Sequence, residues 1–376
     1  MTLYDTLLLV GAALFVIMCS ATTDIEDAIQ KLATENLRAW KYISVENVKV
    51  LMNRSRACED FQCFSYNSRG FGFCNEQYCN RPPTDDKLNR MVRKHIQRVM
   101  QSCRITSKRS FTFVVNIRDE PVQLRRDFNI NGFRKEAPLF SFQTSHQHLD
   151  VPIDYSRDHF DQKLELFVQR LNEISNSSAD IPWEERIPIL LWRGSQTGGW
   201  YTVNNWKDFA RSKLVLLSKE APDKIDAAFN TWTQVFPRAR RVMNKAVGLG
   251  NTVPLEQHGR WKYLASLDGN GWASRLPFLL ALGSLVFKQE SDYFTWWYPL
   301  LKPYQHFAPV VINSTHQNIF ESIEWAKRND DSARKIAGRG RQFVLQYLIK
   351  YADVYMCKLL SEYSVLYNGS KYSSGS

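Results

Sequence analysis

Short apolar segments that alternate with longer helical or loop segments constrain the fold of this chain most strongly. Five runs are typical of strands: Phe111–Ile117, Pro138–Phe142, Ile189–Trp192, Ser284–Phe287 and Pro309–Ile312. Their spacing predicts parallel sheets with helices on both faces. At 376 residues the chain is long enough for two such sheets. The charged, proline-flanked stretch from Ile181 to Pro188 is the candidate boundary between them.

The regions on either side of these runs predict other structure. Helical apolar spacing extends from about Asp24 to Arg56, which predicts a surface helix. The segment Cys58–Cys79 is rich in Gly, Asn, Ser and aromatic residues without a clear period, and predicts a stapled loop. After Ala333 the spacing predicts a helix almost to Tyr367, interrupted around Gly338 or Gly340 and again near Tyr351.

The first residues and the cysteines indicate a secretory route. Residues 6–21 (TLLLVGAALFVIMCSA) are uncharged, and their apolar part is short for a membrane span. We expect a secretory signal, with an uncleaved anchor as the alternative because no Lys or Arg precedes the stretch. The six later cysteines predict three disulfides, whose pairing the sequence leaves open. A zinc site is the alternative, although the four-residue gaps are wide for one. These cysteines are Cys58, Cys63, Cys74, Cys79, Cys103 and Cys357.

Composition narrows the class of protein. With 44% hydrophobic and 23% charged residues the chain is an ordinary globular protein, which excludes disordered, fibrous and multi-span membrane classes. The net charge of +11 favours an anionic partner such as nucleic acid, a membrane surface or a phosphate-bearing small molecule. The basic residues are scattered and no nucleic-acid recognition motif accompanies them, so we expect no nucleic-acid partner.

Two motifs follow apolar strands directly. In RDEP (Arg118–Pro121), Asp119 would lie at the mouth of a crevice beyond the strand end, suitably placed for a general base. An ordinary turn capped by Asp119 explains the same residues. In WRGS, Gly194 gives a turn with backbone N–H groups, and Arg193 and the Ser195 hydroxyl lie beside it, a pattern that suits a pyrophosphate. A strand exit with a surface arginine is the alternative.

A third motif, KYLASLDGNGWASR (Lys262–Arg275), places a glycine-rich loop before Ser274 and Arg275 and the apolar helix Leu276–Leu282. A helix N-terminus and an arginine would then face one anion. A tight turn with a helix cap is the alternative. The aromatic run Asp292–Tyr304 predicts either a sugar platform or an interdomain core segment.

Several kinds of chemistry lack their sequence signs. The chain has no Walker loop, no GxGxxG motif and no Gly-x-Ser-x-Gly elbow. It also has no Asp-x-Asp pair, the usual sign of a metal-chelating sugar-nucleotide site, so we expect no metal. His146 and His148 alternate after a strand and could share a metal, but a polar loop explains them as well.

Taken in order, these pieces resemble the Rumi-like protein O-glucosyltransferases of glycosyltransferase family 90. The resemblance covers most of the chain from Phe111 to Tyr367. The matching stretches include VVNIRDEP, PLFSFQTS, WRGSQT, ARSKLVLLSKEAPDKIDAAF, KYLASLDGNGWASR, LGSLVF, WWYPLLKPYQHFAPV and EWAKRNDDSARKIAGRGRQF.

The resemblance implies an α/β fold of GT-B type, in which two Rossmann-like domains face each other across a cleft and the C-terminal helix crosses back. It implies metal-independent, inverting transfer of a sugar from UDP-glucose, or from UDP-xylose, to a serine hydroxyl. Asp119 matches the catalytic base of the family. The residues that match its nucleotide-sugar site are Arg193, Gly194, Ser195, Arg211, Ser274 and Arg275.

The expected organisation follows from these arguments. We expect a signal peptide or anchor at 1–22, an acceptor-side unit with the cysteine-rich loop at 23–185, a nucleotide-sugar-binding unit at 186–345, and a C-terminal helix with a frayed tail at 346–376. We expect a monomer that acts on proteins with epidermal-growth-factor-like repeats in the endoplasmic reticulum lumen. The C-terminus SSGS lacks a KDEL-like signal, which keeps the Golgi and secretion open. A polysaccharide acceptor and a non-catalytic binding relative are the alternative functions.

Overall fold

The computed structural model describes residues 24–53, 61–67, 70–74, 77, 79, 87–103, 110–117, 121–123, 136–153, 164–312 and 317–367. The expected leader at 1–22 and the tail after Tyr367 lie outside these residues. Within the described ranges, no helix is both long enough and apolar enough to cross a membrane.

The described strands and helices alternate along most of the chain. The strands are β1 (Phe61–Asn67), β2 (Gly70–Phe73), β3 (Phe111–Asn116), β4 (Leu139–Ser141), β5 (Thr144–Ser145), β6 (Val151–Pro152), β7 (Ile187–Ser195), β8 (Ile225–Thr231), β9 (Trp261–Ser266), β10 (Leu285–Gln289), β11 (Tyr293–Phe294) and β12 (Ala308–Val310). The helices are α1 (24–37), α2 (Val45–Met52), α3 (Lys87–Ser102), α4 (Leu164–Ser177), α5 (Ala210–Glu220), α6 (Pro237–Ala246), α7 (Leu276–Ala281), α8 (Gln317–Arg328), α9 (Asp330–Gln342) and α10 (Ile349–Leu366).

The first sheet is mixed, with strand order β2-β1-β3-β4-β6. Strands β3 and β4 are parallel, as predicted, and β6, which was not predicted, also pairs parallel with β4. Strand β1 pairs antiparallel with both β2 and β3. The stapled loop predicted for the cysteine-rich segment is therefore wrong, because part of it forms this hairpin. Phe64 lies opposite Phe73 and Phe113, and the Phe64 and Phe113 rings stack at 5.3 Å. Such cross-strand aromatic pairs stabilise an antiparallel edge.

The second sheet is entirely parallel, with strand order β12-β10-β9-β7-β8. Strand β10 is buried at all but its last residue, as the apolar run Ser284–Phe287 predicts. Strand β7 comes first in the sequence. Strand β8 follows and lies on one side of it, whereas β9, β10 and β12 extend on its other side. The order therefore reverses between β7 and β9, and in such sheets ligands bind beyond the carboxyl ends of the strands at that point.

The chain ends in a helical segment that returns to the first sheet. Helix α9 packs against the second sheet, and α10 then places the Tyr363 ring against Phe113 and Phe140 of the first. A disulfide between Cys103 and Cys357 joins α10 to the segment after α3. Two α/β units with a C-terminal helix that crosses back are the GT-B arrangement, so the predicted fold class is confirmed.

Two predicted helix boundaries are wrong. The C-terminal helix changes to a π-helical segment at Phe343–Leu348, whereas the predicted interruption sites, Gly338 or Gly340 and Tyr351, lie within α9 and α10. A Cβ at Gly340 would clash with the His306 carbonyl oxygen, so this glycine admits no side chain. The predicted helix from Asp24 to Arg56 is two helices. Between them the Trp40 indole donates to the Glu136 carbonyl at 2.9 Å, and Ser44 caps α2.

The five cysteines that the structure describes form disulfides, as predicted, and Cys58 lies outside the described residues. Cys63 bonds to Cys74 across the hairpin, Cys103 bonds to Cys357, and Cys79 is also disulfide-bonded. The zinc alternative fails for these five residues, because their sulfurs are bonded to other sulfurs and cannot serve as thiolate ligands. Both described bridges involve the first unit, where they supplement its core.

The unit that contains the first sheet and the unit that contains the second sheet are in direct contact. Strand β5 of the first unit pairs antiparallel with β11 of the second. Trp296, just after β11, stacks on Tyr355 of α10 at 4.9 Å. The aromatic run is therefore an interdomain core segment, one of the two interpretations of its sequence.

Candidate functional site

A cleft of about 330 Å³ opens at the carboxyl ends of β7 and β9, where the strand order of the second sheet reverses. The second unit supplies most of its walls through the end of β7, the start of α5 and the loop after β9. The first unit supplies two residues. The lining residues are Phe142, Gln143, Gly194, Ser195, Thr197, Arg211, Gly269, Asn270, Gly271, Trp272, Ala273, Ser274 and Arg275.

Gly194 lies where the chain leaves β7, and its lack of a side chain shapes the cleft. A Cβ added there would lie 2.6 Å from the Trp192 ring and 3.3 Å from Nη2 of Arg275. Any larger residue would have to displace one of these groups. The glycine of WRGS therefore keeps the strand backbone close to Arg275, and Ser195 follows it on the cleft wall.

Arg275 brings a positive charge to the cleft. Its Nη1 donates to the Arg193 carbonyl, and its guanidinium lies over the Trp192 ring, 5.8 Å from the ring centroid. The aromatic face and the carbonyl hold the planar group in one orientation. A guanidinium oriented in this way suits an oxyanion such as a phosphate.

Arg211 also lines the cleft, and it ties the two loops of the site together. Its guanidinium donates to the carbonyls of Ser195 at 2.8 Å, Asp268 at 2.8 Å and Leu267 at 3.0 Å. Burial lowers the pKa of Arg211, while the charge of Asp268 opposes that shift. The residue therefore supplies a buried positive charge and joins the end of β7 to the loop after β9.

The structure departs from the sequence prediction at Arg193. Its guanidinium is buried and bonds to the Asp226 carboxylate, at 2.8 and 3.0 Å, and to the Asn251 carbonyl at 3.0 Å. The side chain does not line the cleft. Because successive side chains of a strand point to opposite faces, the motif alone does not reveal which face Arg193 occupies. Its carbonyl accepts a hydrogen bond from Nη1 of the site residue Arg275.

The loop after β9 forms the opposite wall, with Gly269, Gly271 and Ser274 lining the cleft. The predicted role of a helix N-terminus is wrong here. Helix α7 has only six residues, the Leu276 N–H already donates to the Ala273 carbonyl at 2.9 Å, and Pro277 has no N–H. The loop and the arginines, rather than the helix dipole, therefore define the charge of this wall.

His258 lies close to the arginines of the site and is buried. Burial lowers its pKa to about 4, and the charge of Arg275 adds to this effect. Its Nε2 lies 3.2 Å from the Val253 carbonyl. At neutral pH the ring is uncharged, so His258 adds no further positive charge beside Arg275.

Gln143 is a site residue that sequence reasoning missed. It follows β4 of the first sheet, and its Oε1 accepts from the Trp272 N–H of the second unit at 2.9 Å. With Phe142 it forms the part of the cleft wall that comes from the first unit. Its position just past a predicted strand was the available signal, the same one that drew attention to RDEP and WRGS.

A second cavity of about 610 Å³ adjoins the cleft and shares Thr197, Arg211 and Gly269 with it. It lies beyond β10 and β12, so both cavities occupy the same edge of the second sheet. Carboxylates from Glu290 and Asp292 line it. One elongated ligand could therefore extend from the arginines to these carboxylates.

Asp119, the predicted base, lies outside the described residues, as do Arg118 and Glu120. The residues on either side are described: Ile117 follows the last residue of β3 and is buried, and Pro121 is buried as well. Within the described part of the chain, no group of three or more His, Cys, Asp or Glu residues could hold a metal ion.

Comparison with known proteins identifies the class. The sequence profile of glycosyl transferase family 90 matches residues 76–371, and the chain belongs to this family. It is similar to an O-glucosyltransferase rumi homolog of Aedes aegypti, 29% identical over 262 residues that cover 67% of this chain and 61% of the relative. It is also similar to protein O-glucosyltransferase 1 of Bos taurus, 33% identical over 194 residues that cover 51% and 45%.

The chain thus spans about half the length of the curated relatives it matches. Among solved structures, it is similar to Anabaena HepE in complex with UDP-glucose, with a TM-score of 0.33, 10% sequence identity, and coverage of 51% of this chain and 53% of that one.

Proposed function

We propose that this protein is an inverting, metal-independent glycosyltransferase that moves glucose from UDP-glucose to a serine hydroxyl of a secretory-pathway protein. Membership of glycosyl transferase family 90 supports transfer of a sugar. The names of the relatives, which are O-glucosyltransferases, support glucose and a protein acceptor.

The observation that carries the proposal is the pair of arginines at the reversal point of the second sheet. Arg211 and Arg275 both line the cleft, and both guanidinium groups lie within 6 Å of the Trp192 ring centroid. In our account Arg275 binds the diphosphate of the donor, and the buried guanidinium of Arg211 adds a second positive charge to the same cleft. Gly194, Ser195 and Ser274 border the same space. Positive charge fixed in advance stabilises the leaving UDP without a metal.

Arg193 acts indirectly in this account. Its carbonyl accepts a hydrogen bond from Arg275, and its guanidinium joins β7 to the Asp226 carboxylate on β8. The carboxylates of the adjoining cavity, Glu290 among them, can accept hydrogen bonds from the ribose hydroxyls. The nucleoside would then occupy the larger cavity and the diphosphate the smaller one.

The acceptor reaction needs a single carboxylate. Asp119 would take the proton from the serine hydroxyl as its oxygen attacks the anomeric carbon, while the bond from that carbon to the UDP oxygen breaks. One displacement from the opposite face inverts the configuration. The role of Asp119 rests on the RDEP motif and on its place directly after a parallel strand of the first sheet.

Xylose is the alternative donor sugar. UDP-xylose lacks only the hydroxymethyl group of UDP-glucose, and a pocket discriminates weakly against so small a difference. Folded epidermal-growth-factor-like repeats are the acceptor we propose, with the monomeric enzyme in the endoplasmic reticulum lumen. The disulfides support an oxidising compartment.

Two variants separate the proposed roles. Asp119→Asn should lower the transfer rate by about 100-fold or more, the range of a lost general base, and leave UDP affinity unchanged. Arg275→Ala should weaken UDP binding by about tenfold or more, the value of a charge-assisted hydrogen bond. Titration calorimetry with UDP and an initial-rate assay measure both effects.

Arg38→Ala is the control, because Arg38 is exposed and pairs with Glu35 three residues earlier on the same helical segment. We expect both of its values to match the unsubstituted protein. Loss of UDP affinity in Asp119→Asn would contradict the base assignment, and unchanged affinity in Arg275→Ala would remove that residue from the donor site.

A further inference from the structure

A chain of buried hydrogen bonds crosses the carboxyl ends of the parallel strands in the first sheet. Asn116, at the end of β3, donates from Nδ2 to Ser141 Oγ at 3.2 Å. Ser141, at the end of β4, donates from Oγ to Asp150 Oδ1 at 2.6 Å. The three residues are 0%, 1% and 2% exposed. Buried polar groups of this kind need partners, and here each provides one for the next.

Asp150 connects this network to the backbone that follows RDEP. Its carboxylate accepts from the Val122 N–H at 2.9 and 3.0 Å and from the Gln123 N–H at 2.6 Å. The neighbouring Leu149 N–H donates to the Gln123 carbonyl at 2.8 Å. Residues 122 and 123 belong to no strand, so Asp150 gives their backbone the partners that a neighbouring strand would supply.

Gln123 holds the same segment from its other side. Its Nε2 donates to the Ala137 carbonyl at 2.8 Å, and its Oε1 accepts from the Leu139 N–H at 2.9 Å. The segment is thus fixed to the beginning of β4 by a side chain and to the end of β4, through Ser141, by the Asp150 carboxylate.

Burial of Asp150 costs free energy that its hydrogen bonds only partly return. Burial raises the pKa of its carboxyl to about 6, although the bonds from Ser141, Val122 and Gln123 lower it. An uncharged residue would avoid this cost. A carboxylate, however, is the side chain that can accept from two backbone N–H groups and a hydroxyl at once.

We infer that Asp150 is a positioning residue for the transfer reaction. It fixes the backbone of Val122 and Gln123, which follow the candidate base Asp119 by three and four residues in the sequence. This inference rests on the proposed function. Reacting groups must be held closely, since a displacement of about 1 Å can cost about 100-fold in rate.

The test is Asp150→Asn, which keeps the shape of the side chain but turns one acceptor oxygen into an amide donor. We expect kcat for transfer to fall about 10-fold to 100-fold, whereas the KM for the UDP-sugar and the Kd for UDP stay within about twofold. Hydrogen exchange at the Val122 and Gln123 amides should become faster.

Asp353→Asn is the matched control. Asp353 is a carboxylate of α10 that packs on the same unit, and it pairs with Arg98 at 2.7 and 2.9 Å. Its loss should lower Tm without lowering kcat. A folded Asp150→Asn protein with unchanged kcat would overturn the inference, as would an equal fall in kcat in both variants.

The outcome also separates this inference from the proposed function. If the unsubstituted protein transfers no sugar from any UDP-sugar, the proposed function fails. The exchange experiment still tests Asp150 in that case, because unchanged protection of Val122 and Gln123 in Asp150→Asn would show that the carboxylate does not fix them.

Discussion

The mixed sheet and the parallel sheet both direct the carboxyl ends of parallel strands toward the cleft region, but they hold the following segments with opposite charges. In the first unit the Asp150 carboxylate accepts from two backbone N–H groups. In the second, the Arg211 guanidinium donates to three backbone carbonyls. An anchor of either charge orders a loop, but the arginine leaves positive charge where a diphosphate would bind. The Asp150 carboxylate instead fixes the backbone at Val122 and Gln123 and adds no positive charge of its own there.

The largest expected effect concerns α10, the helix that returns from the second unit to the first sheet. Replacing both Cys103 and Cys357 by Ala removes a crosslink between residues 254 positions apart, and should lower the free energy of unfolding by about 4 kcal/mol. Because α10 packs on the first sheet, UDP affinity at the second sheet should survive under native conditions. Urea unfolding and calorimetry measure the two values. A loss of UDP affinity in the folded variant would contradict this expectation, because donor binding at the second sheet would then depend on the disulfide in the first unit.

The next effect tests the anchor of the second unit. Arg211→Ala leaves the carbonyls of Ser195, Leu267 and Asp268 without their shared donor, and should lower the free energy of unfolding by about 3 kcal/mol. Urea unfolding, with Arg38→Ala as the exposed control, provides the measurement. A change below about 1 kcal/mol would show that water replaces the guanidinium, and that Arg211 does not fix the loops.

The smallest effect is on the pH dependence of folding stability, to which His258 of the second unit and Asp150 of the first unit contribute with opposite signs. His258 has a pKa of about 4 in the folded state against 6.5 in the unfolded chain, so only the unfolded chain binds its proton between these values. Its contribution to stability therefore falls as pH drops from 6.5 toward 4, by about 1 kcal/mol at pH 5.5. For Asp150 the folded carboxyl, with a pKa of about 6 against 3.8, binds the proton first. Its contribution rises as pH drops from 6 toward 3.8.

Urea unfolding at pH 7.5 and 5.5 checks both signs. The decrease in stability at pH 5.5 should become smaller in His258→Gln and larger in Asp150→Asn, each relative to the unsubstituted protein. Shifts in the same direction would contradict the lowered pKa of His258 or the raised pKa of Asp150.

The sequence predicted the parallel strands better than it predicted the edges of the sheets. The runs at Ile189–Trp192 and Ser284–Phe287 are apolar because both faces of those strands are buried. Strand β8 (Ile225–Thr231) was missed because it is not a continuous apolar run. Its buried residues Ile225, Ala227 and Phe229 alternate with half-buried ones, a strand pattern that appears only when every second residue is compared. The hairpin Phe61–Phe73 was missed because its aromatic residues pair across strands and leave no simple period along the chain.

The site was predicted in part for a related reason. Gly194, Ser195, Arg211, Ser274 and Arg275 line one cleft, which their separate motifs could not establish. Arg193 has the right charge and position along the chain, yet it faces Asp226, because a strand offers two faces and the sequence does not distinguish them. Asp150 carries no motif at all. Its role depends on backbone N–H groups 27 and 28 residues earlier in the chain.

The central claim is that the arginine-lined cleft binds the donor while a carboxylate on the other unit activates a serine without a metal. Its most direct test is transfer from labelled UDP-sugars to a folded epidermal-growth-factor-like repeat, with a chelator present throughout. We predict transfer from UDP-glucose at the same rate with and without chelator, and preference for UDP-xylose would change only the donor. Turnover that disappears with chelator, or UDP binding without turnover of any donor, would contradict the account.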